Sequence, residues 1–106
     1  MSDGPTVLIF DFPNSAFGPE RTEALQPLAE DIAGQAGLVW KIWTEEPAAG
    51  RAGGVYLFET RAAAEAYHAM HARRLAARGV TEIEASYRGV NEVLTRIDRG
   101  PVSPLR

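Results

Sequence analysis

The sequence predicts an α+β domain in which four strands form one antiparallel sheet and two helices cover one of its faces. Three observations predict it. Short runs rich in branched and aromatic residues alternate with two stretches of helical spacing, in the order β-α-β-β-α-β. The second and third strands are separated by a glycine-rich turn of hairpin character. The chain has 106 residues, 45% of them hydrophobic, which is one domain of ordinary size with material for a core.

The elements follow in order. Val7 to Phe12 (VLIFDF) is a nearly continuous apolar run and reads as a buried strand. A loop from Pro13 to Gly18 follows, with Pro19 placed for a first helical turn. Glu20 to Ala33 carries Leu25, Leu28, Ala29 and Ile32 at helical spacing. Pro27 lacks a backbone donor, so a kink or late start is expected there. Leu38 to Thr44 is the second strand, the loop runs from Glu46 to Gly54, and Val55 to Glu59 is the third strand. Thr60 is placed to cap a helix running to Arg78 and stopped by Gly79. Thr81 to Arg88 reads as the fourth strand, and Asn91 caps a short helix from Glu92 to Asp98.

This order is the ferredoxin-like split βαβ arrangement, in a single domain over residues 1–106. Alternation along the second strand sets Leu38, Trp40 and Ile42 against Val39, Lys41 and Trp43, and Trp40 is expected in the core. Both faces carry apolar side chains, so the face bare of helices needs a cover. A second copy of the sheet supplies it. The expectation is a homodimeric α+β barrel.

Composition excludes several functions. With no cysteine there is no disulfide scaffold, thiolate metal site, iron–sulfur cluster or cysteine nucleophile. A net charge of −3 without a basic run argues against a nucleic-acid or anionic-membrane partner. No apolar stretch reaches the ~18 residues of a membrane span, and the first residues lack a signal-peptide pattern; a cytoplasmic protein is expected. Ten arginines beside the single Lys41, with abundant alanine, suggest a GC-rich bacterial genome.

With the elements placed, the chain resembles the YdhR family of putative monooxygenases. The resemblance lies in Gly37 to Glu45, Gly53 to Phe58, Asn14 to Gly18, Leu25 to Glu30, the second helix from Ala66-Tyr67 through His71 to Arg74-Leu75, Gly79-Val80, and Val90 to Glu92. It implies a dimeric α+β barrel that oxidises a small, electron-rich aromatic with dioxygen. Related barrels include cofactor-independent oxygenases of polycyclic aromatic phenols and others that bind and degrade haem with an asparagine, a tryptophan and a helix histidine. Asn14, the two tryptophans and His71 match that second set in part.

His71 lies one helical turn from Tyr67 and Leu75, so it points inward, either as a hydrogen-bonded core histidine or as a pocket base. It is the candidate base, with Asn14, Arg74 and Tyr56 as candidate donors to a developing oxyanion. Lys41, Trp43, Tyr56, Phe58 and Tyr67 are the candidate lining of an aromatic ligand site, although the same rings would equally fill a core. Arg74 is expected to pair with an acid such as Glu84 or Glu92. His68 falls at the edge of the buried sector. Glu65, His68 and His71 diverge around the helix, and no histidine pair has i, i+4 spacing, so no metal is expected. No flavin or haem is expected either. A non-catalytic small-molecule-binding dimer is the competing reading, and a haem-binding protein a further one.

Overall fold

A computed structural model describes residues 3–103. Its strands are β1 (Thr6–Pro13), β2 (Leu38–Glu46), β3 (Arg51–Phe58) and β4 (Glu84–Gly89), and its helices α1 (Pro19–Ala24), α2 (Gln26–Ala33), α3 (Arg61–Ala77) and α4 (Glu92–Ile97). The sheet is antiparallel throughout, in the order β2-β3-β1-β4. This is the expected α+β, ferredoxin-like arrangement.

The boundaries differ from expectation for local reasons. The helical stretch around Pro27 breaks in two at Leu25, and Pro27 sits in the first turn of α2, where its missing donor costs nothing. The strand β3 starts at Arg51 rather than Val55: its Arg-Ala-Gly-Gly start has little strand preference, yet it is held between β1 and β2. A short 3₁₀ turn, Pro47–Ala49, replaces most of the expected loop. Glu82 takes a positive φ of 52°, which delays β4 to Glu84. The caps are as read: Thr60 Oγ1 accepts from the Ala63 amide at 3.1 Å, Asn91 Oδ1 from the Leu94 amide at 3.1 Å, and Gly79 turns left-handed at φ 90° after α3.

The consequential departure is in β2. Leu38 pairs with Phe58 and Trp40 with Leu57, so Val39 is an extra residue, a β-bulge. The bulge reverses the alternation beyond it. Leu38 keeps company with Phe58 on the helix-covered face, whereas Trp40 and Ile42 lie on the opposite face with Leu57 and Val55. Trp40 is therefore not in the main core. It is half-buried on the helix-free face, where its indole N–H donates to the Pro101 carbonyl at 3.0 Å. Lys41 and Trp43 are turned towards the helices, opposite Tyr56 and Gly54.

The core lies between that face and the helices. Leu8, Phe10, Tyr56 and Phe58 from the sheet meet Leu28 and Ile32 of α2 and Ala64, Tyr67, His71 and Leu75 of α3. The α3 residues recur at three- and four-residue intervals and form one buried stripe. No helix among the described residues is long and apolar enough to cross a membrane.

Candidate functional site

The bulge and the α3 stripe together aim Lys41, Trp43, Tyr56 and His71 at one cavity of about 100 Å³ between the sheet and the helices. Asn14 joins it from the loop after β1, Arg21 and Leu25 from the α1–α2 segment, and Arg78 from the end of α3. Of the residues read from the sequence, these five line it: Asn14, Lys41, Trp43, Tyr56 and His71.

Three others do not line it. Phe58 is fully buried in the core, stacked near Tyr56 with centroids 6.1 Å apart. Tyr67 is buried behind Tyr56 and donates its hydroxyl to the Tyr56 oxygen at 3.0 Å. Arg74 stands behind His71. Its Nε and Nη2 lie 3.2 and 3.0 Å from His71 Nδ1, and its Nη1 donates to Asp31 Oδ2 on α2. The acid that holds Arg74 is thus Asp31, from the neighbouring helix, rather than Glu84 or Glu92.

An arginine has donors and no acceptor, so the contact fixes the histidine tautomer: Nδ1 accepts and Nε2 carries the proton. No buried side-chain nitrogen or oxygen among the described residues lacks a partner, so the unpaired Nε2–H of His71 opens on the cavity. Burial, then the charges of Arg74, Lys41 and Arg78, hold the imidazolium down to about 3. His71 is a neutral donor across the physiological range.

Lys41 behaves differently. Its Nζ sits 3.3 Å from the Trp43 ring centroid and 4.7 Å from that of Tyr56. Burial, and secondarily Arg74, lower its pKa to about 7. No carboxylate lies within ion-pair distance of it among the described residues. The lysine is held over the ring because Gly54, opposite Trp43, leaves the space: a Cβ there would lie 2.7 Å from Lys41 Cε. Burial also pushes the Tyr56 hydroxyl far above its usual range and that of Tyr67 up to about 12, so both stay protonated.

Asn14 braces its own loop, with Nδ2 donating to the Ala16 carbonyl at 2.9 Å, and its backbone amide donates to Gly50 at 2.9 Å. His68 is half-buried outside the cavity, 2.6 Å from the Tyr87 hydroxyl. No group of three His, Asp or Glu side chains among the described residues is arranged to hold a metal ion. A larger cleft, about 950 Å³, opens at the other end of β1, between the starts of α3 and α4. It is broad and open, and its Arg61 and Glu65 pair with each other, so it offers no comparable chemistry.

Sequence reasoning did not single out Arg21, Glu45 and Arg78 for the site; they line the cavity but belong to no motif. Lys41 carried a usable signal: it is a lone lysine among ten arginines, placed between two tryptophans.

A family model described as "Putative mono-oxygenase ydhR" matches residues 7–101, nearly the whole chain. No curated protein matches it.

Proposed function

The chain belongs to the YdhR family of putative mono-oxygenases, and from that premise we propose that its pocket oxidises a small, electron-rich aromatic with dioxygen, without flavin or metal. The working unit is a homodimer. The observation that carries the reading is Lys41, a desolvated amine poised near neutrality between two ring faces. A general base works best with a pKa near the operating pH. That requirement moves the base from His71, held near 3, to Lys41.

A phenol lying against Trp43 gives its hydroxyl proton to Lys41 Nζ. The resulting phenolate is retained as an ion pair with the ammonium, and His71 Nε2–H donates to the developing oxyanion. The electron-rich ring then transfers electrons to dioxygen and a carbon–oxygen bond forms. The ring hydrogen is lost as the oxygen–oxygen bond breaks, leaving a quinone and one water. All four electrons come from the substrate, so no external reductant is needed. Arg74, anchored by Asp31, keeps the imidazole in its tautomer and orientation.

The cavity's size bears on the substrate. A void of about 150 Å³ accommodates benzene, so a cavity of about 100 Å³ takes a single ring only by using part of the adjoining space, and a polycyclic or porphyrin skeleton does not fit. An adjoining hollow of about 190 Å³ shares Thr22, Leu25 and Trp43 with it and gives the ring a route in.

The test is oxygen uptake by the purified chain with one-ring phenols. Uptake that requires both protein and phenol is expected, with Lys41→Met lowering it by roughly 10²–10⁴, the usual worth of a general base. The rate should climb as pH rises through about 7, where Lys41 loses its proton. A phenol that binds and is recovered unchanged would make this a binding protein instead.

A further inference from the structure

The molecule carries a net charge of −3, yet its pocket is cationic. Its wall holds Arg21, Lys41 and Arg78 against the single carboxylate of Glu45, and none of the four makes an ion pair among the described residues. Lys41 lies deepest, against the rings, whereas Arg21 and Arg78 are exposed and stand at the mouth. Like charges gathered around an apolar hollow repel one another, and the low local dielectric strengthens that repulsion. A bound anion relieves it.

Building on the aromatic reading above, we infer that the ligand is a one-ring aromatic carboxylate. Its carboxylate is held by Arg21 and Arg78 at the mouth while the ring passes inward along Trp43 towards Lys41. Guanidinium forks match a carboxylate in geometry and bind it with charge-assisted hydrogen bonds. The indole face receives the ring. Glu45, at the same wall, disfavours a dianion.

The probes are 4-hydroxybenzoate, 4-hydroxybenzamide and 4-hydroxybenzylamine, which keep the phenol and change the charge, with binding read by quenching of tryptophan fluorescence at low salt. The acid should bind at least tenfold more tightly than the amide, and the amine more weakly than either. Arg21→Gln combined with Arg78→Gln should erase the preference for the acid, leaving the amide unaffected. Both side chains are exposed and make no ion pair among the described residues, so the fold is preserved; far-ultraviolet dichroism checks this, and single Arg21→Gln provides a milder variant that should halve the preference or more. Equal binding of acid and amide, survival of the preference in the double variant, or no binding of either would overturn the inference. Charge-blind binding with phenol-dependent oxygen uptake would leave the proposed reaction standing and remove the carboxylate. Tight, charge-selective binding with no oxygen uptake would do the reverse.

Discussion

Ten of the eleven basic residues are arginine, and a guanidinium cannot serve as a base because it does not lose its proton in a protein. Lys41 alone can change charge within the pocket near neutral pH, which is why its burial over Trp43 matters more than its exposure to solvent would suggest. His71 illustrates the converse. Its place one turn from Tyr67 was legible in the sequence, but its protonation state was not, because that depends first on burial under the sheet, then on Arg74, which Asp31 of α2 holds in place, and on Lys41 from β2. The consequence is measurable. In the unfolded chain the imidazole takes up a proton below its ordinary 6.5, while in the folded chain it does so near 3. The neutral form's stabilising contribution is therefore complete above pH 6.5 and is lost as pH falls towards 3, at no more than about 1.4 kcal/mol per pH unit for one proton. Urea unfolding followed between pH 7 and 4 should show this slope in the parent protein, and a shallower one in His71→Gln.

The element that decides the site is β2. Deep in Leu38 to Thr44 both alternating phases are apolar or aromatic, so the pattern does not reveal which residue is the extra one; pairing with β3 identifies Val39. Without the bulge, the strand that puts Leu38 on the core would turn Trp43 and Lys41 away from α3. His71 and Trp43 would then lie on opposite sides of the sheet. With it they share a cavity. The helices were easier to read, since Thr60, Asn91 and Gly79 announce their ends through local chemistry that tertiary contacts did not override. Gly54 belongs to the harder class, its role visible only beside Lys41. In Gly54→Ala the new methyl crowds the flexible end of the lysine and Tyr56 Cε1 at 3.2 Å, with the Ile42 carbonyl oxygen in ordinary contact at 3.4 Å. Stability should fall by no more than about 1 kcal/mol, whereas Lys41 should leave the Trp43 face. Phenol quenching and the pH dependence of oxygen uptake would both report it; an unchanged profile would mean that Gly54 does not set the lysine's position.

For the whole molecule, two apolar surfaces need an explanation. The helix-free face carries Val7, Ile9, Val55, Leu57, Trp40 and Ile42. Residues after α4 cover part of it: Val102 is buried, Pro101 accepts from Trp40, and Leu57 is sealed. Ile42 remains 56% exposed, and α4 presents Val93, Leu94 and Ile97 at 72%, 58% and 69% exposure. A six-residue helix has too few internal hydrogen bonds to persist alone, and one with three exposed aliphatic side chains calls for a surface to dock on. In the homodimer proposed above, a second copy would offer one, with sheet facing sheet and α4 clasping the partner's rim. An obligate interface of this kind buries ~2,000 Å² or more. Light scattering at micromolar concentration should therefore return twice the chain mass. Charging the clasp, with Val93→Asp and Ile97→Asp together, should yield a folded monomer, because both side chains are exposed in the single chain and their loss leaves its core intact. Removing residues 91–106 should also weaken association, but it takes away the buried Val102 and the Pro101 carbonyl that Trp40 donates to, and so tests less cleanly. A parent protein that runs as a well-folded monomer would end the barrel. A dimer untouched by the two aspartates would keep the sheet-to-sheet contact and discard the clasp.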